Sequence, residues 1–148
     1  MLGDLDPKMP LANITILPST TPHPHHHPIH SGTFHSPNFP QTYQPNKECA
    51  WVFSTAPGHR IKLVFDQFDL ESHQECAYDH VAVYDGESID DPALGRFCGS
   101  RRPLTVVSSF NMLYLLFRSD ATNEKRGFNA THSTGECPFH RFSLFASS

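Results

Sequence analysis

The sequence has little fixed positive charge and no long apolar run. Its 148 residues carry 11 Lys and Arg against 15 Asp and Glu, which gives a net charge of −4 with neutral histidines. Nucleic-acid-binding domains present a basic surface, so this balance argues against a nucleic-acid partner. A membrane-spanning helix needs about 20 consecutive apolar residues, and the sequence contains no such run. We therefore expect no membrane span.

Catalytic motifs are also absent from the sequence. It contains no His-Glu-x-x-His zinc-protease motif, no Gly-x-Ser-x-Gly nucleophile motif and no phosphate-binding glycine loop. Serine, histidine and aspartate are abundant, but abundance alone does not arrange them as a catalytic triad. The chain is therefore interpreted as non-enzymatic.

The amino terminus does not have the usual form of a secretory signal. It begins with acidic residues, and its apolar patch Leu11–Leu17 is short. Other features favour an extracellular protein. The 4 cysteines indicate an oxidising compartment, and Asn13 and Asn129 each begin a glycosylation sequon. We expect a secreted glycoprotein, with no signal peptide visible in this sequence.

Short alternating runs dominate the chain after a proline-rich beginning. Residues 1–31 are predicted to be a disordered linker, because the prolines and histidines of this segment suit neither a helix nor a strand ladder. No later segment shows sustained helical periodicity. Seven or eight short strands therefore predict an all-β antiparallel sandwich over residues 32–133, followed by a flexible tail at 134–148. The predicted strands include Cys49–Ser54, His59–Phe65, His80–Tyr84, Leu94–Cys98, Leu104–Ser109, Met112–Phe117 and Gly127–Thr131.

One segment combines a cysteine with many acidic residues. Nine carboxylates and no Lys or Arg occur from Asp66 to Asp91, and Glu71 and Asp79 flank Cys76. Carboxylate oxygens are the preferred ligands of hard cations such as Ca²⁺. Acidic groups gathered without cationic neighbours repel one another unless an ion lies among them. The segment predicts a cation site on a disulfide-stabilised β scaffold, which favours adhesion over catalysis.

Several motifs resemble those of a CUB domain and occur in the same order over about residues 32–132. They resemble most closely the calcium-binding CUB modules of tolloid-type metalloproteases. The resemblance implies a jelly-roll-like β-sandwich built from two antiparallel sheets. The matching motifs are Gly32-Thr-Phe-His-Ser-Pro-Asn-Phe-Pro40, Cys76-Ala-Tyr-Asp-His-Val-Ala-Val-Tyr-Asp-Gly86, Leu94-Gly-Arg-Phe-Cys-Gly99, Phe117-Arg-Ser-Asp120 and Gly127-Phe-Asn-Ala130.

The resemblance implies a calcium site and a way of binding a partner. The residues that match the family's ligands are Glu71, Asp79 and Asp120, with Asn123 as a further ligand and Tyr43 supporting the carboxylates. In the family, the ion holds the acidic side chains in position to meet a basic residue of a protein partner. A matrix or growth-factor-related partner is expected here. The alternative is a calcium ion that only orders the loops.

The resemblance also implies a disulfide between Cys76 and Cys98. Cys49 matches one cysteine of a second family disulfide, but residues 21–30 contain no cysteine to complete it. Cys49 is therefore a free thiol, or it pairs with Cys137 or with another chain. The sequence leaves these choices open.

Other functions remain open at this point. The chain could be a fragment of an astacin or tolloid metalloprotease whose catalytic domain lies outside it. It could also be a single-CUB, spermadhesin-like protein that binds carbohydrate or cell surfaces. Such proteins typically lack the calcium acids, so Glu71, Asp79 and Asp120 count against this reading. The histidine tract His23–His30 could bind zinc, nickel or copper, although it is interpreted as a soluble linker.

Overall fold

The computed structural model describes residues 12–15 and 30–136, which form strands and no helix. No helix in this part of the chain could therefore cross a membrane. The strands are β1 (Ala12–Thr15), β2 (His30–His35), β3 (Glu48–Ser54), β4 (His59–Asp69), β5 (His80–Tyr84), β6 (Ala93–Phe97), β7 (Val106–Val107), β8 (Met112–Arg118) and β9 (Gly127–Glu136).

The strands form two sheets, which confirms the predicted β-sandwich. One sheet has the order β1-β3-β8-β5-β6 and the other has the order β2-β9-β4-β7. All neighbouring strands pair antiparallel except β1, which runs parallel to β3 with Ala12 opposite Trp51. The order places β8 in the middle of the five-stranded sheet.

The core lies between the two sheets and is rich in aromatic rings. Alternation along each strand directs one set of side chains inwards. Phe128 of β9 is fully buried, and its ring centroid lies 5.7 to 5.9 Å from those of Phe34, Trp51, Phe65 and Phe117. On the outer face of the five-stranded sheet a smaller apolar cluster contains Ala50, Tyr114 and Leu116, with Val52, Tyr84 and Ile89 packed against it. Strand β8 is therefore covered on both faces, as its continuous apolar sequence indicates.

The strands extend beyond the expected segments at both ends of the described chain. Strand β1 lies inside the predicted linker 1–31. It forms because the edge of β3 has unpaired backbone N–H and C=O groups, with which a segment of four residues can pair. Strand β9 continues to Glu136, past the expected boundary at 133, because β4 pairs with it as far as His59. The disorder expected for residues 1–11, 16–29 and 137–148 concerns positions outside the described residues.

A buried histidine predicts an acid-sensitive fold. His132 of β9 lies 5.3 Å from the ring of Phe53 by centroid distance, and its buried Nδ1 atom has no hydrogen-bond partner among the described residues. Burial lowers the pKa of His132, so the folded state holds the neutral ring while the unfolded chain binds a proton below about pH 6.5. Stability should therefore fall as the pH drops below about 6.5 towards the folded-state pKa.

Replacing His132 with leucine should remove this part of the pH dependence. Urea unfolding of the parent and of His132→Leu at pH 7.5 and pH 5 measures the effect. We expect the parent to lose more free energy of unfolding than the variant over this interval. The exposed ring of His35 provides a control, and His35→Gln should behave like the parent. Equal losses in the parent and His132→Leu would contradict the explanation.

Candidate metal centre

Acidic side chains from two loops meet at one end of the sandwich. Glu71 and Asp79 lie in the connection between β4 and β5, and Asp120 follows the end of β8. One carboxylate oxygen from each of the three residues lies within 4.8 Å of the others. Glu71 and Asp79 are buried and Asp120 is half-buried. The structure thus brings Asp120 next to Glu71 and Asp79, which precede it by 41 residues or more.

The loop that carries Glu71 and Asp79 is attached to the β6 region at several points. The N–H of Leu70 donates to the carbonyl of Gly99 at 2.9 Å. Cys76 and Cys98 form the predicted disulfide, with 5.4 Å between their Cα atoms. The Nε atom of Arg96 donates to the carbonyl of Cys76 at 2.9 Å. These contacts hold both acidic residues near the end of the sheet.

The loop that carries Asp120 is held against the segment before β3. The hydroxyl of Ser119 donates to the carbonyl of Gln44 at 2.7 Å and accepts the N–H of Lys47 at 2.9 Å. The N–H of Asn46 donates to the carbonyl of Asp120 at 2.9 Å. Ser119 is therefore a positioning residue for the site. In the sequence, Ser119 is marked only by its position immediately before Asp120. That position does not predict its hydrogen bonds to Gln44 and Lys47.

Asp79 is the most enclosed of the acidic residues. Its Oδ1 atom accepts the N–H of Asp120 at 2.7 Å, and its Oδ2 atom accepts the hydroxyl of Tyr43. Burial raises the pKa of Asp79 to about 6, and the neighbouring Asp120 carboxylate acts in the same direction. Burial and the Asp79 carboxylate also raise the pKa of Tyr43, so the phenol stays protonated and remains a donor.

The position of Tyr43 depends on the start of β9. The N–H of Tyr43 donates to the carbonyl of Lys125 at 3.1 Å, just before Gly127. Gly127 has φ +90°, and a Cβ atom there would collide with the hydroxyl oxygen of Ser36. This position therefore requires glycine, both for its backbone angle and for the close approach of Ser36.

Glu71 has one carboxylate oxygen that the described residues leave unpaired. Its Oε1 atom accepts the side-chain amide of Asn123 at 2.9 Å. Its Oε2 atom is buried and has no hydrogen-bond partner in the described part of the chain. An unpaired buried oxygen is costly, especially beside two further carboxylates. A hard divalent cation accepts several oxygen ligands, so the donor set fits calcium.

Asn123, which donates a hydrogen bond to Glu71, has a backbone conformation that asparagine tolerates. Its φ is +62°, in the left-handed region where asparagine is favoured among non-glycine residues. The side-chain amide donates from its nitrogen, which leaves the amide oxygen available for another contact.

The remaining predicted residues lie away from this cluster. Cys49 is buried in β3 and forms no disulfide with another described cysteine, and burial raises the pKa of its thiol to about 11. Cys137 and the tract before His30 are outside the described residues, so the alternatives for Cys49 stay open. Asn129 is half-buried in β9, opposite His35 and Gln67. Asn13 lies in β1 opposite Val52.

A polar cleft of about 430 Å³ adjoins Asp120. Arg118 is the cross-strand neighbour of Glu48 on one side and of His80 on the other. The Nη2 atom of Arg96 lies 3.2 Å from Nδ1 of His80. Burial, together with the positive charges of Arg96 and Arg118, lowers the pKa of His80 to about 4. The sequence motifs do not indicate this arrangement.

The fold and the acidic cluster define a β-sandwich module with a candidate divalent-cation site at one end. The CUB domain family profile matches residues 26–132. The chain therefore belongs to the CUB domain family, as its motifs predict. The matched region is a non-catalytic module.

Named relatives and solved structures agree with this assignment. Human Tolloid-like protein 1 is 52% identical over 107 residues, which is 72% of this chain and 10% of that protein. "Zinc metalloproteinase nas-39" of Caenorhabditis elegans is 46% identical over 107 residues, 72% of this chain and 11% of that protein. The chain thus spans about a tenth of the length of these relatives. The "MASP-1 CUB2 domain bound to Ca2+" is similar with a TM-score of 0.61 and 32% identity, over 69% of this chain and 90% of that structure.

Proposed function

We propose that this CUB domain binds one calcium ion at Glu71, Asp79 and Asp120, and that the occupied site recognises a basic residue of a protein partner. The observation that carries the proposal is the buried, unpaired Oε2 atom of Glu71, which lies beside the other two carboxylates. A solved relative described as bound to Ca²⁺ supports the choice of metal.

The ion would remove the main electrostatic cost of the site. Three ionised carboxylates within 4.8 Å repel one another. A bound Ca²⁺ ion would neutralise two of these charges and could also accept the side-chain oxygen of Asn123. Tyr43 would keep Asp79 oriented through its hydroxyl, and Ser119 would keep the Asp120 loop in place.

The occupied site would still carry one net negative charge beside the half-buried Asp120. A lysine ammonium could approach it and form charge-assisted hydrogen bonds with the carboxylate oxygens. The tolloid-like relatives favour an extracellular setting and a partner related to matrix or growth factors. The Cys76–Cys98 disulfide is consistent with a secreted protein, and Asn13 and Asn129 remain candidate glycosylation sites.

A second possibility is that this chain is a portion of a larger protease. The relative named as a zinc metalloproteinase favours it, because the chain matches only 11% of that protein. In that case the module would serve as an accessory domain for the same calcium-dependent recognition. The acidic cluster, which spermadhesin-like proteins typically lack, weakens the carbohydrate-binding alternative.

Binding of a lysine analogue tests the recognition step. NMR titration of the ¹⁵N-labelled full chain with N-acetyl-lysine-N-methylamide should shift signals near Asp120 in calcium and not in chelator. The uncharged norleucine analogue should cause no such shift. We expect Glu71→Gln to weaken calcium binding by about tenfold or more and to abolish the lysine response.

The exposed carboxylate of Glu75 lies in the same loop as Glu71 and offers a matched control. Glu75→Gln should respond to lysine like the parent. Equal lysine shifts in calcium and in chelator, or an unchanged response in Glu71→Gln, would refute the proposed recognition mode.

A further inference from the structure

The cleft beside Asp120 carries positive charge on the outer face of the five-stranded sheet. Alternation along β8 and β5 directs Arg118 and His80 away from the core, whereas Phe117 and Val81 point into it. Tyr78, Lys47 and Ser119 also line the cleft. The positive groups therefore lie immediately next to the acidic cluster.

Arg96 is oriented in this cleft by contacts that leave part of its guanidinium available. Its Nε atom donates to the carbonyl of Cys76, and its Nη2 atom lies 3.2 Å from His80. A guanidinium has five N–H donors in a planar fork, so further donors can reach a ligand. The side chain is exposed on β6.

Arg118 is available for a ligand as well. Its side chain is exposed and lines the cleft. Its cross-strand neighbour Glu48 is buried, with 8% of its surface exposed. Arg96 and Arg118 both line the cleft, and they are cross-strand neighbours of Ala82 and His80, two residues apart on the same face of β5.

We propose that this cleft binds a carboxylate of the same protein partner through Arg96 and Arg118. The partner would then present an acidic side chain next to the basic side chain that meets the calcium site. Recognition of the partner's basic side chain rests on the proposed function. Recognition of its acidic side chain depends only on Arg96 and Arg118.

A single carboxylate fits the cleft better than a sulfated polysaccharide. Glu48 and Asp120 line the same cleft, and Glu71 and Asp79 lie next to Asp120. These negative charges would repel an extended polyanion but leave room for one acidic group between the guanidinium forks. A volume of about 430 Å³ accommodates a side chain rather than a polymer.

Paired peptides test the proposal on the full chain. Blocked peptides that carry one lysine and one glutamate, joined by glycine spacers of different lengths, are compared with versions in which glutamine replaces glutamate. NMR titration follows the Nε–Hε signals of Arg96 and Arg118. We expect the best glutamate peptide to bind about fivefold more tightly than its glutamine version. In Arg118→Gln this preference should disappear.

Several controls distinguish carboxylate binding at the arginines from lysine binding at the calcium site. Arg118→Lys keeps the charge but not the fork, so it should retain only part of the preference. Arg102→Gln removes an exposed arginine that does not line this cleft, and it should behave like the parent. A peptide with glutamate and no lysine should still shift the arginine signals in chelator, even if the lysine site fails.

Equal affinity of the glutamate and glutamine peptides at every spacer length would overturn the proposal. So would Arg118-dependent binding of a heparin hexasaccharide that is tighter than that of every peptide, because it would identify a polysaccharide site. A melting temperature of Arg118→Gln in chelator close to that of the parent verifies that the variant is folded.

Discussion

Replacing Asp79 with asparagine should stabilise the calcium-free protein and abolish its response to calcium. Asp79 is fully buried, and burial raises its pKa from 3.8 to about 6. The folded state therefore binds a proton more readily than the unfolded chain. At pH 7.5 the ionised group destabilises the fold, and this penalty decreases as the pH falls below about 6 and is gone near pH 3.8.

Asparagine can keep both hydrogen bonds of the position without the charge. Its oxygen can accept the N–H of Asp120, and its amide can donate to the oxygen of Tyr43. We expect the melting temperature in chelator at pH 7.5 to rise by roughly 5 °C. Calcium should raise the melting temperature of the parent but not of Asp79→Asn, because a ligand stabilises only a fold that binds it.

Thermal melting in chelator and in calcium measures both effects. The exposed residue Asp90 provides the matched control, since Asp90→Asn also removes one carboxylate. It should melt like the parent under both conditions. A calcium response in Asp79→Asn equal to that of the parent would show that Asp79 is not a ligand.

Removing the disulfide should produce the largest loss of stability. Cys76 and Cys98 are separated by 22 residues, and a crosslink that closes such a loop contributes about 3 kcal/mol in the chain-entropy model. The crosslink also holds the loop that carries Glu71 and Asp79. The double variant Cys76→Ser, Cys98→Ser should therefore lose more stability in calcium than in chelator, because the metal-bound state depends on that loop.

Urea unfolding in the two solutions measures the free energies of unfolding. Cys49→Ala is the control, because it removes a buried thiol that forms no disulfide with a described residue. Its cost should be smaller and independent of calcium. If the double variant loses equal stability with and without calcium, the disulfide does not support the metal site.

Strand positions were predictable where alternation is regular. Val81 and Val83 point to one face and predict β5 with its observed limits, His80–Tyr84. In β4 the expected strand ends at Phe65, but the structure continues it to Asp69. A register shift between Phe65 and Gln67 breaks the alternation and still allows Phe68 to pair with Phe128. A sequence read by period alone cannot show such a bulge.

The acidic residues were predictable as a set only through the family motifs. Asp79 and Asp120 lie 41 residues apart, and their contact arises because β5 and β8 are neighbours in the sheet. Because β8 lies between β3 and β5, Glu48, Arg118 and His80 are also cross-strand neighbours. Strand order and register depend on tertiary packing, so local pattern does not reveal these neighbours.

Calorimetric titration of the full chain with calcium tests the metal site most directly, with Asp120→Ala alongside the parent. The parent should bind one calcium ion per chain, and the variant should bind about tenfold more weakly or worse, because it loses a charged ligand. Absence of calcium binding in the parent, or the same affinity in both proteins, would contradict the assignment of Glu71, Asp79 and Asp120 as the metal ligands.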